Sequence, residues 1–307
     1  MSICFVFPGQ GSQYVGMVKD LHDDYDEVKR LYHEASEKIG YDIATLTFNG
    51  PKVELNRTHK TQPCLLVASI AVFTVLAKKG VIPSAVAGHS LGEYAALVAA
   101  GAISFLDAVA ITEVRGKIMQ EAVPEGQGLM AAILGLERKS IDDLCKSIKT
   151  GYVAVANYNC PGQIVVSGER IAVEEAMKKA EDLGAKRVVS LNVSIPSHCS
   201  LMEKAGERFE EVLNGYAINN AQIPFVNNNK ARFVSEADEI RRSLVKQLSE
   251  PVLWEDCIKT IASSKIDTFI EAGPGKVLSG LIKRIDRSVR TLNVESIETL
   301  NETLSAI

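Results

Sequence analysis

Ala85-Val86-Ala87-Gly88-His89-Ser90-Leu91-Gly92-Glu93-Tyr94 decides how the rest of the chain is read. A short apolar run of small side chains leads into Gly88-His89-Ser90-Leu91-Gly92, and an alanine-rich, helix-compatible segment follows at once. This is the G-x-S-x-G pattern of a strand that turns straight into a helix with a serine at the apex. Such a turn crowds the positions two before and two after the serine, so only residues without a Cβ fit both. Gly88 and Gly92 meet that demand. The turn leaves the Ser90 hydroxyl at the tip of a sheet, near a helix N-terminus whose free N–H groups favour developing negative charge. A glycine-containing βα turn with an incidental serine explains these five residues equally well, so the remainder of the chain has to decide.

A length of 307 residues predicts either two domains or one large domain carrying an insertion. Hydrophobic residues at 46% and charged residues at 23% are ordinary for a chain with a sizeable core, and order is expected everywhere except the last few residues. With a net charge of −4 and no dense basic cluster interleaved with aromatics, nucleic-acid binding finds no support. The longest apolar stretches, such as residues 64–77, fall short of the ~20 residues of a spanning helix, so no membrane association is expected. The chain begins directly with a strand-like run and shows no basic leader or cleavage motif, which predicts a cytoplasmic location. The six cysteines are scattered without a C-x-x-C pair and read as free thiols in a reducing compartment, Cys199 being the one to watch.

Strand 3–7 ends in Pro8-Gly9-Gln10-Gly11-Ser12-Gln13, whose glycines let the backbone approach a neighbour closely and whose N–H groups lie beside a strand end, where an oxyanion donor would sit. A helix is expected from about Val15, an amphipathic one over 25–38, and one starting at Thr61-Gln62-Pro63 that runs apolar from Leu65 to Leu76 and is buried. Ser104-Phe105-Leu106-Asp107 opens another helix, with Ala108, Ile111, Val114 and Ile118 at helical spacing. Arg115 lies beside that face between Ile111 and Met119, and a charge there must find an anion or escape to water. After Pro124 the pattern becomes strand 129–134, helix 139–148, strand 152–156, strand 163–167, helix 171–183, strand 186–190. That βαββαβ order predicts a ferredoxin-like subdomain at 125–192, inserted into a large α/β-hydrolase-like domain of 1–124 and 193–307 with a mainly parallel sheet.

A serine hydroxyl needs an adjacent base. His22, His33 and His59 read as surface residues, and His89, next to Ser90, should point elsewhere. His198 stands in the Pro-containing segment where the insertion rejoins the large domain, at the mouth of the expected cleft; a buried structural histidine is the alternative. No histidine follows it and no acidic residue occupies an obvious third position, so the expected unit is a dyad, with a backbone carbonyl orienting the imidazole. Neither metal-ligand spacing nor a Walker-type phosphate loop is present in the sequence.

Seven motifs, in order over nearly the whole chain, make it resemble the malonyl-CoA:acyl carrier protein transacylases of bacterial fatty-acid synthesis. They are Phe-Pro-Gly-Gln-Gly-Ser-Gln at 7–13, Gly-His-Ser-Leu-Gly-Glu at 88–93, Arg-Gly-Lys-Ile-Met-Gln-Glu-Ala at 115–122, Asn-Cys-Pro-Gly-Gln at 159–163, Val-Ser-Ile-Pro-Ser-His-Cys at 193–199, Gln-Leu-Ser-Glu-Pro-Val at 247–252 and Gly-Pro-Gly-Lys-Val-Leu at 273–278. The resemblance implies Ser90 as the acylated nucleophile, His198 as its base held by the Gln247 carbonyl, and the N–H groups of Gln10 and Leu91 as oxyanion hole. It further implies Arg115 as clamp on the malonyl carboxylate, with Gln247, Met119 and Asn159 also lining the substrate site. Malonyl-CoA and phosphopantetheinylated acyl carrier protein would be the substrates of a monomeric enzyme that binds no cofactor or metal.

Carrier proteins of this kind are strongly acidic, so a basic patch should receive them; Lys283 and Arg284, with Arg287, are the first candidates and Lys186 and Arg187 the second. A thioester hydrolase and a non-catalytic carrier- or CoA-binding scaffold are the rival readings. Arg115 and the missing third acid weigh against the first, the intact constellation against the second.

Overall fold

The structure, a computed structural model, describes residues 2–124, 126–191 and 195–307. The chain opens with β1 (Ile3–Phe7), followed by α1 (Lys19–Asp24), α2 (Asp26–Ile39), α3 (Ile43–Asn49), α4 (Lys52–Leu55) and α5 (Thr58–Lys78). Next come β2 (Ala85–Gly88), α6 (Gly92–Ala99) and α7 (Phe105–Ala122), the last capped by Ser104, which accepts from the Asp107 N–H at 3.2 Å. Then follow β3 (Gly128–Leu134), α8 (Arg138–Ser147), β4 (Val153–Cys160), β5 (Gln163–Glu169), α9 (Arg170–Asp182) and β6 (Arg187–Ser190). The remainder is α10 (Glu203–Leu213), β7 (Phe225–Val226), β8 (Phe233–Val234), α11 (Ala237–Gln247), α12 (Trp254–Ser263), β9 (Thr268–Ala272), α13 (Val277–Ile285), β10 (Arg290–Val294) and α14 (Ile297–Ala306).

Two sheets result. The first has the order β10-β9-β1-β2-β7-β8 and is parallel except for the β7–β8 pair. Its strands alternate between two cores: Phe5 and Phe7 pack with the α5 residues Leu66 and Ile70, while Cys4 and Val6 belong with Trp254, Ile258 and Leu281 on the other face. The second sheet is antiparallel, in the order β4-β5-β3-β6 that a βαββαβ unit takes. On β3, Leu129, Ala131 and Ile133 face the core under α8 and α9, and Met130 and Ala132 face the other way. The boundaries expected for the insertion fall at Glu125 and Asn192–Ser194, which lie outside the described residues.

Several sequence expectations shift. The first helix starts at Lys19 rather than near Val15. Strand β4 runs on through Asn157 to Cys160, with two register irregularities, where a loop was expected. The C-terminal residues are ordered: α14 begins in a capping box at Ser296 and buries Leu300 and Thr303. Helix α5 begins at Thr58, so among the described residues one helix is long and apolar enough to cross a membrane, correcting the reading from residues 64–77; 78% of its apolar window is buried inside the fold. His22 is half-buried, its ring 4.7 Å from that of Phe48.

Candidate active site

The register Phe7↔Gly88 sets the ends of β1 and β2 side by side, so the loops that follow them leave the same edge of the sheet. Sites in open parallel sheets form at such carboxyl ends. A Cβ on Gly88 would lie 1.9 Å from the Gly92 carbonyl carbon, and one on Gly92 would lie 2.1 Å from the Phe7 oxygen. Neither contact is tolerable, which is why the elbow needs both glycines. A Cβ on Gly9 would meet the His89 oxygen at 2.4 Å, so the first loop packs directly against the second. Ser90 itself has φ +50°, a left-handed conformation rare outside glycine and asparagine.

His198 Nε2 stands 2.8 Å from Ser90 Oγ, and His198 Nδ1 stands 2.7 Å from the Gln247 carbonyl oxygen. A carbonyl only accepts, so Nδ1 carries the proton and Nε2 is left to accept from the serine. The carbonyl is available because α11 ends at Gln247 and its last carbonyls have no partner within the helix. The Leu248 carbonyl is used in the same way, accepting from the His198 N–H at 2.9 Å. An imidazole held at a helix C-terminus also faces the negative end of the helix dipole, which favours the cation formed when it takes a proton. In the resting site, burial and then Arg115 push His198 down to about 3, so it is neutral and ready to accept. His198 also has φ +61°.

Arg115 is 1% exposed. Its Nη1 donates to Gln62 Oε1 at 2.7 Å, and its Nη2 donates to Gln247 Oε1 at 2.9 Å and reaches Ser90 Oγ at 3.5 Å. The guanidinium carbon lies 5.5 Å from the centre of the Tyr94 ring, and Nε has no acceptor. Among the described residues no carboxylate forms an ion pair with it. Of the two outcomes expected for this charge, neither escape to water nor an internal anion is observed; two amide oxygens carry it instead.

A cleft of about 530 Å³ opens over these groups. The large-sheet side supplies the loop from Gly9 to Gln13 with His89, Ser90, Leu91, Arg115 and Met119, and the second sheet supplies Met130, Ala132, Asn159 and Val165. The N–H groups of Gln10 and Leu91 have no acceptor among the described residues, and both residues line the cleft. Asn159 accepts from His89 Nε2 at 2.9 Å, and the His89 ring packs edge-on against Trp254, so His89 ties the elbow to the second sheet. Met119 Sδ accepts from Gln62 at 3.7 Å. Cys199 is buried against the Pro196 carbonyl, and burial raises its thiol, so it is no nucleophile. Among the described residues no three His, Cys, Asp or Glu side chains cluster as metal ligands.

Lys283 and Arg284 are both exposed, on the last turn of α13. Arg284 donates to Gln163 at 2.8 Å, and Gln163 and Leu281 line the cleft, which sets this pair at its rim. Lys186 and Arg187 are exposed at the start of β6. Sequence reasoning missed the supporting shell of Gln62, Asn228 and Glu93, all buried and polar, and it set Gln247 on the lining of the substrate site, whereas the buried Gln247 side chain lies behind the cleft and bonds to Arg115, Glu93 and the Ser90 carbonyl. The available signal was Thr61-Gln62 at the head of an otherwise apolar helix.

Comparison with known proteins follows the same lines. The acyl transferase domain family profile matches residues 4–301. The chain is 45% identical to the malonyl CoA-acyl carrier protein transacylase of Bacillus subtilis, over 97% of this chain and 95% of that one. It is 48% identical to the protein of the same name from Escherichia coli K12, over 92% of each. Among solved structures it superposes with a TM-score of 0.98, at 44% identity and over 100% of both chains, on a malonyl-transacylase in complex with its type II PKS acyl-carrier protein. With its family profile matched across nearly the whole length and its elbow, histidine and arginine assembled in one cleft, the chain belongs to the acyl transferase domain family.

Proposed function

We propose that this protein is a malonyl-CoA:acyl carrier protein transacylase feeding fatty-acid synthesis, with Ser90 as nucleophile and His198 as base. The observation that carries this reading is the line Gln247 carbonyl, His198, Ser90, with the Arg115 guanidinium 3.5 Å from the same serine oxygen. His198 Nε2 takes the Ser90 proton as Oγ attacks the malonyl thioester carbonyl. The resulting oxyanion is received by the Gln10 and Leu91 N–H groups, and collapse breaks the carbon–sulfur bond while His198 returns the proton to the departing thiol. The phosphopantetheine thiol of the carrier then gives its proton to His198 and attacks the malonyl-serine ester, and as the acyl carbon–Oγ bond breaks His198 returns the proton to Ser90. The base contributes about 10²–10⁴-fold and each oxyanion donor about 10²–10³-fold. Atoms balance without a cofactor.

Arg115 holds the malonyl carboxylate, Met119 and Asn159 line the acyl end, and Lys283 with Arg284 receives the acidic carrier. In this reading the second sheet is the inserted subdomain, residues 125–192, and forms the lid side of the cleft over the domain of 1–124 and 193–307. The enzyme acts as a cytoplasmic monomer. Arg115 separates it from a thioesterase of uncharged acyl groups, for which a buried cation beside the nucleophile has no use. The relative solved with a type II PKS carrier favours a polyketide carrier as a second reading, and rates of transfer to the two carriers tell them apart.

Intact-protein mass after exposure to malonyl-CoA is the test. One malonyl group per chain, absent in Ser90→Ala and discharged by carrier thiol rather than water, is the expected result. Release of free malonate without transfer would make the protein a hydrolase.

A further inference from the structure

Glu93 sits on the first turn of α6, three residues beyond Ser90, fully buried and outside the lining of the cleft. It forms no ion pair among the described residues, and its two hydrogen-bond partners are both donors. Oε1 accepts from the Asn228 backbone N–H at 2.5 Å, and Oε2 accepts from the Gln247 side-chain amide. Burial outweighs the two donors and Arg115 and leaves this carboxyl raised to about 8, yet both of its oxygens face N–H donors, so it accepts on both sides. The Asn228 side chain in turn accepts from the Ser90 N–H at 2.6 Å and donates to the Gly88 carbonyl at 2.7 Å, bracketing the left-handed turn.

Both N–H groups of the Gln247 amide and its oxygen are engaged. Nε2 donates to Glu93 and, at 2.9 Å, to the Ser90 carbonyl, and Oε1 accepts from Arg115 Nη2. Arginine only donates, so the contact with Arg115 exists in one of the two orientations of the amide. Turned over, the amide would set N–H against N–H. What holds the favourable orientation is a pair of acceptors on the far side, the Ser90 carbonyl and the Glu93 carboxylate.

We propose that Glu93 is a positioning residue that locks the Gln247 amide with its oxygen toward Arg115, aims the guanidinium, and thereby sets the preference for acyl groups ending in a carboxylate. The inference deepens the transacylase reading above and rests on it. Glu93 acts through Gln247 and touches no substrate. A merely structural role would disturb Ser90 and His198 for every acyl group alike, whereas aiming Arg115 moves only the discrimination between acyl groups.

Glu93→Gln keeps the shape but replaces one acceptor by a donor. The Asn228 backbone cannot turn, so the new amide must present its oxygen there and its NH₂ to Gln247, which sets N–H against N–H and displaces the Gln247 amide from its place against Arg115. The malonyl-CoA kcat/KM is expected to fall roughly 10- to 100-fold, the loss of one charge-assisted hydrogen bond, while acetyl-CoA transfer changes by less than about threefold. Gln247→Met, which removes the middle of the relay and leaves Glu93 and Arg115 in place, is expected to shift the ratio in the same direction and carries the test if Glu93→Gln does not fold. A malonyl to acetyl ratio that stays at the wild-type value, or falls by equal loss of both activities, overturns the proposal. Wild-type protein run alongside separates the two levels: without a malonyl-serine adduct on wild type the transacylase reading itself fails, and with the adduct formed only the ratio bears on Glu93.

Discussion

Replacing Arg115 by alanine tests the specificity account most directly. The guanidinium is 1% exposed and spends two donors on Gln62 and Gln247, leaving Nε and the edge beside Ser90 for an incoming anion. Malonyl and acetyl differ only by the carboxylate. Loss of one partner from a buried charge pair costs about 3–5 kcal/mol, so malonyl kcat/KM for Arg115→Ala should drop by roughly 10²–10⁴-fold. For acetyl the sign reverses. In wild type an acetyl group leaves the guanidinium desolvated without a counter-ion, and the alanine variant has no such cation to strand, so acetyl transfer should hold or rise. Arg115→Lys should recover little, because an ammonium cannot hold a carboxylate by two parallel hydrogen bonds while also reaching Gln62 and Gln247. Steady-state transfer with malonyl-CoA and acetyl-CoA on the three proteins is the assay. Equal proportional loss of both activities in the alanine variant would refute the reasoning and make Arg115 a structural residue.

The depressed His198 makes stability pH-dependent. Above about pH 6.5 the imidazole is neutral in both folded and unfolded chains; as pH falls through that value only the unfolded chain takes up the proton, so the His198 contribution to folding stability is lost on acidification, by about 2 kcal/mol between pH 7 and 5, while the raised Glu93 carboxyl contributes the opposite slope. Denaturation midpoints at the two pH values should therefore fall more on acidification for wild type than for His198→Asn, a residue that tolerates the positive φ, by that amount; equal slopes would mean His198 is not held neutral. Gly92→Ala drives a Cβ to within 2.1 Å of the Phe7 carbonyl and is expected to cost about 3 kcal/mol, read as a lowered unfolding midpoint; an unchanged midpoint would contradict the close approach. Charge reversal at Lys283 and Arg284 should raise KM for carrier protein roughly tenfold at low salt, less as salt is added, and spare KM for malonyl-CoA. If both constants moved together, or neither, the carrier would dock elsewhere.

Much of the site was legible because local geometry forces residue choice. A strand-to-helix elbow admits only glycine at 88 and 92, so the sequence marked Ser90 as a candidate that the other motifs then supported, and the βαββαβ alternation announced the second sheet before its strand order was known. The place of His198 at the rejoining segment, and the want of a third acid, already pointed to a carbonyl-held dyad. Short or irregular elements were not legible: β8 is two residues long, and β4 continues through the polar Asn157-Tyr158-Asn159 because it pairs with β5, a partner that no local pattern reveals. Likewise α5 reached back to Thr58 through polar residues whose burial depends on what packs over them. Sequence by itself determined which groups are candidates for the chemistry, since those demands are local to a turn, a helix stripe or a motif. Only the tertiary structure decided how they are held, because Gln62, Glu93, Asn228 and the Gln247 amide reach their partners across separations of up to 157 residues, and a hydrogen bond between distant positions leaves no periodicity in the chain.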